Sequence, residues 1–256
     1  MKNTYFIGGS PCSGKSTAAE ILSREYGLFY FKVDDFLEKY MELGAQDGLP
    51  LCKKIAGMSA EQIWMREAQL QCREEFGIYE EIFDYILADL DQLNSANGIL
   101  TEGAAYVPRL FKRLGLPGGR YIAVTPTPEF QIDHYRQRAF VPYVLADCPD
   151  KEQAFRNWMD RDILFAQEVR RQCREEGYSV IINDGSIPMA EMAGSIAAHF
   201  GLRTCIHNRG MLDGRGFFPS DKEIFRSNPV GLQGKATQYG GKKTGQTAFN
   251  GCEYMF

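Results

Sequence analysis

The stretch FIGGSPCSGKST, residues 6–17, contains the pattern G-x-x-x-x-G-K-[ST] from Gly9 to Ser16 without a mismatch. It follows a short apolar run, residues 4–8, that predicts a strand, and the residues after it have helical spacing of apolar side chains. Glycines in such a loop let successive backbone N–H groups point at phosphate oxygens, and the following helix adds the positive end of its dipole. The stretch therefore predicts a phosphate-binding loop.

The predicted nucleotide-binding residues form one continuous run. They are Gly9, Ser10, Pro11, Cys12, Ser13, Gly14, Lys15, Ser16 and Thr17. We expect Lys15 to act on the β- and γ-phosphates and Ser16 to hold Mg²⁺. The alternative is a chance match, and the position of the motif between a strand and a helix argues against it.

The composition is typical of a globular protein with one large domain. The 256 residues are 44% hydrophobic and 24% charged, and the net charge of −4 gives no general attraction to nucleic acid or membranes. No apolar run approaches the roughly 18 residues of a membrane span. The run of residues before Gly8 is too short for a signal-peptide core. From the net charge and the lack of a long apolar run, we expect neither a membrane nor a nucleic-acid partner.

The cysteines and histidines do not predict a metal or disulfide framework. The seven cysteines are far apart, odd in number and without a C-x-x-C pair, which favours reduced thiols in a cytoplasmic protein. The three histidines are too scattered for a metal cluster.

Strand-like and helix-like segments alternate along the first 200 residues. The predicted strands are 4–8, 29–33, 99–102, 121–125 and 179–183, and the predicted helices after the first are 59–76, 78–93, 130–139, 152–176 and 188–200. A loop rich in glycine and proline is predicted across 44–57. The alternation predicts a parallel sheet covered on both faces, with ligands bound beyond the carboxyl ends of its strands.

Two aspartates follow the second predicted strand. Asp34 or Asp35 could take the proton of a hydroxyl that attacks the γ-phosphate. The alternative is an acidic helix cap. Asp34 is the first choice for the base because it directly follows Val33 at the strand end, which leaves Asp35 to cap the next helix or to reach the metal.

Glu102 ends the third predicted strand. It is a candidate Mg²⁺ ligand, through water, or a substrate contact, and a capping carboxylate is the alternative. Asp184, at the end of the last predicted strand, comes late in the chain, where a loop around the nucleotide base is expected.

Arginines flank a Pro-containing loop before the last strand. Arg136 and Arg138 precede it and Arg156 and Arg161 follow it, so residues 140–156 are predicted to form a mobile lid. Arg156 and Arg161 are the predicted catalytic arginines, because guanidinium groups stabilise the charge of a phosphoryl group in transfer. A solvated surface arginine is the alternative for each.

With these residues placed, residues 1–201 resemble the small P-loop kinases of the nucleoside/nucleotide-kinase-like group. The segment VDDF, residues 33–36, is similar to nicotinamide riboside and uridine kinases, and more loosely to the 5′-hydroxyl polynucleotide kinases. The segment TEGAAYVP, residues 101–108, is similar to 2-phosphoglycerate-kinase-like proteins.

The resemblance implies a fold, two cofactors and a catalytic base. The implied fold is α/β, a P-loop NTPase-type three-layer arrangement with a five-stranded parallel sheet in the order 2-3-1-4-5. The implied cofactors are ATP and Mg²⁺. One carboxylate of the Asp34–Asp35 pair would be the base, and which of the two differs between the related families.

The expected function is an ATP-dependent transfer of the γ-phosphoryl group to a hydroxyl of a small molecule, such as a nucleoside, sugar or phosphorylated metabolite. The acceptor is expected in the segment 36–93. A nucleotide kinase is an alternative, but that segment has only Arg66 and Arg73 for an acceptor phosphate. A P-loop switch or motor ATPase is a further alternative, although the chain has no N-K-x-D, the tetrapeptide with which GTPases recognise guanine. The last alternative is a protein that binds a nucleotide but catalyses no reaction.

The chain changes character after about residue 203. Residues 208–251 contain nine glycines and seven Lys or Arg against three acidic residues. The sequence therefore predicts a kinase domain over 1–202 and a basic, glycine-rich tail over 203–256 that is irregular or disordered.

Overall fold

The structure is a computed structural model that describes residues 3–203. The predicted tail, residues 203–256, lies outside the described residues apart from Arg203. The strands are β1 (Thr4–Gly9), β2 (Phe29–Lys32), β3 (Ile99–Glu102), β4 (Tyr121–Pro126) and β5 (Ser179–Asn183). The helices are α1 (Lys15–Tyr26), α2 (Leu37–Gln46), α3 (Pro50–Ala56), α4 (Ala60–Trp64), α5 (Ala68–Gln92), α6 (Pro108–Arg113), α7 (Pro128–Arg136), α8 (Val141–Val144), α9 (Lys151–Glu176) and α10 (Met189–Phe200), with 3₁₀ turns at Val33–Phe36 and Gly118–Arg120.

The five strands form one parallel sheet in the order β2-β3-β1-β4-β5. This is the P-loop NTPase-type α/β fold and strand order expected from the sequence, and the prediction is confirmed. The register pairs Glu102 with both Ile7 of β1 and Lys32 of β2. The phosphate-binding loop, the aspartate pair and Glu102 therefore follow three neighbouring strands at the same edge of the sheet.

Helices cover both faces of the sheet. Phe6 and Ile7 of β1 are both fully buried, but they belong to different cores because successive side chains of a strand point to opposite faces. Ile7 packs in a core with Leu22 of α1 and Ile196 of α10. Phe6 lies in a larger core that includes Phe165 of α9. The result is three layers.

The segment predicted as a loop over 44–57 is mostly helical, and this prediction was wrong. Gly44 lies inside α2, where an added Cβ would come within 2.7 Å of the Sγ of Cys52 in α3. Gly48, with a φ of 83°, makes the actual turn, and Pro50 starts α3. Gly44 therefore allows two helices to pack closely, and Gly48 allows a left-handed turn.

The boundary between the two predicted helices 59–76 and 78–93 is also misplaced. Ser59 forms the predicted capping box, but the helix that it starts, α4, ends at Trp64. The next helix, α5, continues without a break through Gly77. A Cβ at Gly77 would lie 2.3 Å from Cδ1 of Leu51, so this glycine lets α3 approach α5 closely and does not end a helix.

Within residues 3–203, no helix is both long enough and apolar enough to cross a membrane.

Candidate active site

The loop between β1 and α1 has the curled backbone that its sequence predicts. Gly9, Cys12 and Gly14 have φ angles of 120°, 60° and 90°, in the left-handed region. The Lys15 Nζ donates a hydrogen bond to the carbonyl of Ser10 at 2.8 Å, which folds the lysine back over the loop. A lysine held over such a loop is placed to act on phosphates that the loop N–H groups bind.

The last strand supports the same loop. The side chain of Asn183, at the end of β5, donates a hydrogen bond from Nδ2 to the carbonyl of Ser13 at 3.0 Å. Asn183 is buried, and a Cβ at Gly14 would lie 3.3 Å from the same Nδ2. The tight contact between β5 and the loop fixes the loop's position and explains why residue 14 is glycine.

A cleft of about 730 Å³ opens in front of the loop. Residues 11–17 line one side of it, and Lys32 and Asp34 line the side that follows β2. Tyr135, near the end of α7, and Arg138, two residues after that helix, also line the cleft. The structure thus brings the predicted phosphate loop and the predicted base to one cavity.

Asp34 lies in the 3₁₀ turn after β2, and its Oδ1 is inaccessible to solvent and has no hydrogen-bond partner. The backbone N–H of Ala104 donates to this carboxylate. Burial raises the pKa of Asp34 to about 6, and the charge of Glu102 adds to the effect, while Lys15 and Lys32 act in the opposite direction. An acid with such a pKa can take a proton near neutral pH.

Asp35 has a different environment from its neighbour. Its side chain is 62% exposed and forms an ion pair with Lys32 at 3.2 Å. It lines the cleft, but its charge is already balanced by that lysine. Of the two predicted bases, Asp34 is the one with a buried oxygen that has no hydrogen-bond partner.

Glu102 is fully buried at the end of β3. The hydroxyl of Tyr30, on β2, donates to Oε1 at 2.8 Å, and Oε2 has no hydrogen-bond partner. A buried carboxylate oxygen without a partner is costly unless a cation or donor joins it. Unlike Asp34, Glu102 does not line the cleft, so a role for it in metal binding stays a prediction.

Arg138 is the arginine that lines the cleft among the described residues. Its Nη2 lies 3.9 Å from the Sγ of Cys12 in the loop, and its guanidinium carbon is 5.9 Å and 5.8 Å from the ring centres of Tyr135 and Phe140. Arg138 therefore contacts the predicted phosphate loop from a position just before the predicted lid, residues 140–156.

The two predicted catalytic arginines, Arg156 and Arg161, lie on α9 and do not line this cleft. Arg156 is 53% exposed and bonds to Glu152 at 3.0 Å. Arg161 is buried between Asp162 at 2.6 Å and Glu75 at 3.4 Å. A catalytic role for either residue stays a prediction that would need the lid to move.

The residues present fit a nucleoside triphosphate with its metal. The left-handed loop and the hydroxyl of Ser16 on the cleft supply phosphate donors and an oxygen ligand, whereas Glu102 is fully buried and is not among the residues that line the cleft. No group of three or more His, Cys, Asp or Glu side chains in residues 3–203 could hold a metal by itself. Mg²⁺ is commonly bound in proteins through one or two carboxylates plus substrate phosphates.

Several contributors were not identified from the sequence. Tyr30 and Asn183 act through neighbours 72 and 170 residues away, so no local pattern marks them. The only signal for Asn183 was its place at a strand end, where the sequence analysis singled out Asp184 instead. Asp184 is exposed and accepts from the backbone and hydroxyl of Ser186, which stabilises a turn.

Neither a protein-family model nor a curated protein sequence matches the chain. Among solved structures it is similar to a candidate kinase from Chloroflexus aurantiacus, with 17% identity, a TM-score of 0.37, and coverage of 77% of this chain and 97% of that chain. It is also similar to shikimate kinase from Aquifex aeolicus, with 19% identity, a TM-score of 0.34, and coverage of 77% and 96%. These TM-scores are too low for either likeness to identify a reaction.

Proposed function

We propose that this protein is an ATP-dependent kinase that transfers a phosphoryl group to a hydroxyl of a small molecule. The observation that carries the proposal is Asp34, which lines the same cleft as Lys15 and the phosphate loop and keeps one buried carboxylate oxygen without a hydrogen-bond partner. The sequence resemblance to small P-loop kinases, carried by VDDF and TEGAAYVP, agrees with it.

In the proposed reaction the acceptor oxygen forms a bond to the γ-phosphorus of ATP, and the bond from that phosphorus to the β,γ-bridging oxygen breaks. The hydroxyl proton passes to Asp34, and ADP leaves with the electron pair of the broken bond. Lys15, the loop N–H groups and Arg138 stabilise the negative charge on the phosphoryl oxygens. Ser16 and Glu102 would hold the Mg²⁺ that accompanies ATP, directly or through water.

A simple P-loop switch explains less of the cleft. Such a protein needs a polar group that orients water, whereas the lining of this cleft of about 730 Å³ also includes Glu38, Phe140 and Trp158. A cleft of this kind has room for a second substrate beside the nucleotide.

The test is transfer of label from γ-labelled ATP to a panel of alcohols, sugars and nucleosides. We expect a labelled product with the wild type, and a loss of about two orders of magnitude or more in turnover with Lys15→Ala, because one well-placed electrostatic group is removed. Lys53→Ala, at an exposed position of α3, is the matched control and should keep turnover and melting temperature. Release of free phosphate without any labelled alcohol would contradict the proposal and favour an ATPase.

A further inference from the structure

Two aromatic rings hold the guanidinium group of Arg138. Its guanidinium carbon lies 5.9 Å from the ring centre of Tyr135 and 5.8 Å from that of Phe140. Both distances are within the roughly 6 Å at which the face of an aromatic ring attracts a cation. All three residues line the cleft that contains the phosphate loop. We refer to Tyr135 and Phe140 together as the aromatic clamp.

The aromatic clamp holds Arg138 without neutralising its charge. Within residues 3–203, Arg138 forms no ion pair, whereas Arg66, Arg156 and Arg161 are each paired with a carboxylate. A carboxylate that pairs with a guanidinium uses some of its N–H donors and cancels its charge. An aromatic ring attracts the same group through its face and leaves the donors at the edge available. Arg138 therefore keeps what a phosphate would need.

The packing of the aromatic clamp fixes the position of both rings. The ring centre of Trp158 lies 5.2 Å from that of Tyr135 and 6.3 Å from that of Phe140. Trp158 in turn stacks on Trp64 at 4.5 Å. The hydroxyl of Tyr135 donates a hydrogen bond to the buried carboxylate of Asp162. Rings that are fixed in this way provide a rigid support for a long, flexible side chain.

The supported guanidinium lies against the phosphate loop. Its Nη2 is 3.9 Å from the Sγ of Cys12, a loop residue with a left-handed φ of 60°. Burial raises the pKa of the Cys12 thiol, and the charge and hydrogen bond of Arg138 act in the opposite direction. Asp162 also raises this pKa and Lys15 lowers it. The thiol of Cys12 therefore reports where the guanidinium of Arg138 is.

We propose that Tyr135 and Phe140 are positioning residues, which hold the guanidinium of Arg138 at the phosphate loop for phosphoryl transfer. The inference rests on the proposed kinase function, in which Arg138 stabilises charge on the phosphoryl oxygens. A long side chain loses conformational freedom when it is ordered, and the clamp imposes that loss before the nucleotide binds. The guanidinium is then already in place when negative charge develops in the transition state.

The first test removes one ring at a time and measures transfer from γ-labelled ATP. Phe140→Leu is the principal variant, because Phe140 is half-buried, and Tyr135→Leu is the second. Each should lower kcat by about tenfold or more and leave the KM for ATP within a few-fold, because a misplaced charge affects the transition state most. Phe140→Tyr restores a ring and should restore most of kcat. Tyr143→Leu is the matched control, since Tyr143 is a 78% exposed aromatic residue of α8 outside the cleft lining.

A double variant tests whether the rings act through Arg138. In an Arg138→Gln background, Phe140→Leu should lower kcat by less than about a further twofold, because the group that the ring positions is already gone. Losses of kcat that multiply in the double variant would show that the ring acts by another route and would overturn the inference.

The second test needs no kinase activity. The rate at which iodoacetamide alkylates Cys12 is followed against pH by mass spectrometry of the peptide that contains it, since the thiolate is the reactive form. Arg138→Gln should move this pH profile to higher pH. Phe140→Leu and Tyr135→Leu should move it in the same direction, and Tyr143→Leu should leave it unchanged. A change in access to the thiol alters the rates but not the midpoint of the profile.

The outcomes separate this inference from the proposed function. An unshifted thiol profile in Arg138→Gln, or in both ring variants, would overturn the inference. An unchanged kcat in both ring variants, with Arg138→Gln impaired, would also overturn it. Shifted profiles in all three variants with kcat unchanged in Arg138→Gln would support the aromatic clamp and overturn the role proposed for Arg138 in phosphoryl transfer.

Discussion

Val33 and the two aspartates after it leave β2 through a 3₁₀ turn, which gives adjacent carboxylates opposite environments. Asp34 turns toward the N–H of Ala104 and keeps one oxygen without a partner. Asp35 turns to solvent and to Lys32. A Cβ at Gly103 would lie 3.1 Å from Oδ1 of Asp34, so the glycine after Glu102 is part of what allows this arrangement.

The two asparagine variants at these positions should separate the base from its neighbour. Asp34→Asn should reduce turnover by about 10²–10⁴, the usual contribution of a general base, with ATP affinity unchanged within a few-fold. Its melting temperature should not fall, because a carboxyl whose pKa is raised by folding is destabilising when ionised. Asp35→Asn is the matched control and should keep turnover near that of the wild type. The opposite ranking in turnover would assign the base to Asp35.

The pH dependence of kcat/KM should report the same carboxyl. Asp34 must be ionised to accept a proton, and its pKa is raised to about 6, so kcat/KM should fall as the pH drops through about 6. Glu102→Gln removes a negative neighbour and should move this acid limb to lower pH. Lys32→Met removes a positive neighbour and should move it to higher pH. Opposite shifts in the two variants identify Asp34, and a limb at one pH in all three proteins would contradict the assignment.

At the scale of elements, Arg138 and Arg156, at the two ends of the predicted lid, lie on different surfaces. Arg138 follows α7 and reaches Cys12 of the phosphate loop, whereas Arg156 sits on the first turns of α9 with Glu152 and Gln153 as partners. The short helix α8 and the start of α9 occupy most of the segment predicted as a lid, residues 140–156. A chemical role is therefore open to Arg138 without rearrangement.

Substitution of these two arginines should give unequal effects. Arg138→Gln should lower kcat by about 10²–10³, the scale of one lost electrostatic contact to the transition state. Arg156→Gln makes the same chemical change on an exposed pair of the same region and should lower kcat by less than about fivefold, because exposed ion pairs contribute little. A large loss of kcat in Arg156→Gln would show that α9 brings this residue into the cleft during turnover, as the sequence predicted.

The elements show which parts of the structure a sequence can reveal. The phosphate loop and the five strands were predictable because each is a contiguous pattern of glycine or apolar residues. Gly44 and Gly77 were misinterpreted because a glycine that permits close helix packing has the same local appearance as one that ends a helix. Tyr30 and Arg138 acquire their roles from contacts across the fold, which spacing along the chain does not encode.

At the scale of the whole molecule, a buried charge cluster connects the segment 36–93, where the acceptor is expected, to the rest of the domain. Glu75 of α5, with Arg161 and Asp162 of α9, is almost fully buried, and Arg161 also lies over the ring of Trp64 at 5.1 Å. Trp64 stacks on Trp158, which lines the cleft. The cluster therefore packs through Trp64 against Trp158 of the cleft lining, and one cation there balances two carboxylates.

The last prediction is that Arg161 contributes chiefly to stability. Arg161→Gln should lower the free energy of unfolding by about 3–5 kcal/mol, because it leaves two buried carboxylates without their cation. Arg156→Gln, on the same helix, should cost less than about 1 kcal/mol.

The pH dependence of this loss in unfolding free energy gives a second, independent test of the role of Arg161. Burial raises the pKa of Glu75 to about 7 and Arg161 opposes that rise, so the variant should have a still higher pKa there. A carboxyl whose pKa is higher in the folded than in the unfolded state loses stability as the pH rises between the two values. Urea unfolding should accordingly show a smaller difference between wild type and Arg161→Gln at pH 5 than at pH 8. An equal difference at both pH values would mean that packing against Trp64, and not charge balance, is what Arg161 provides.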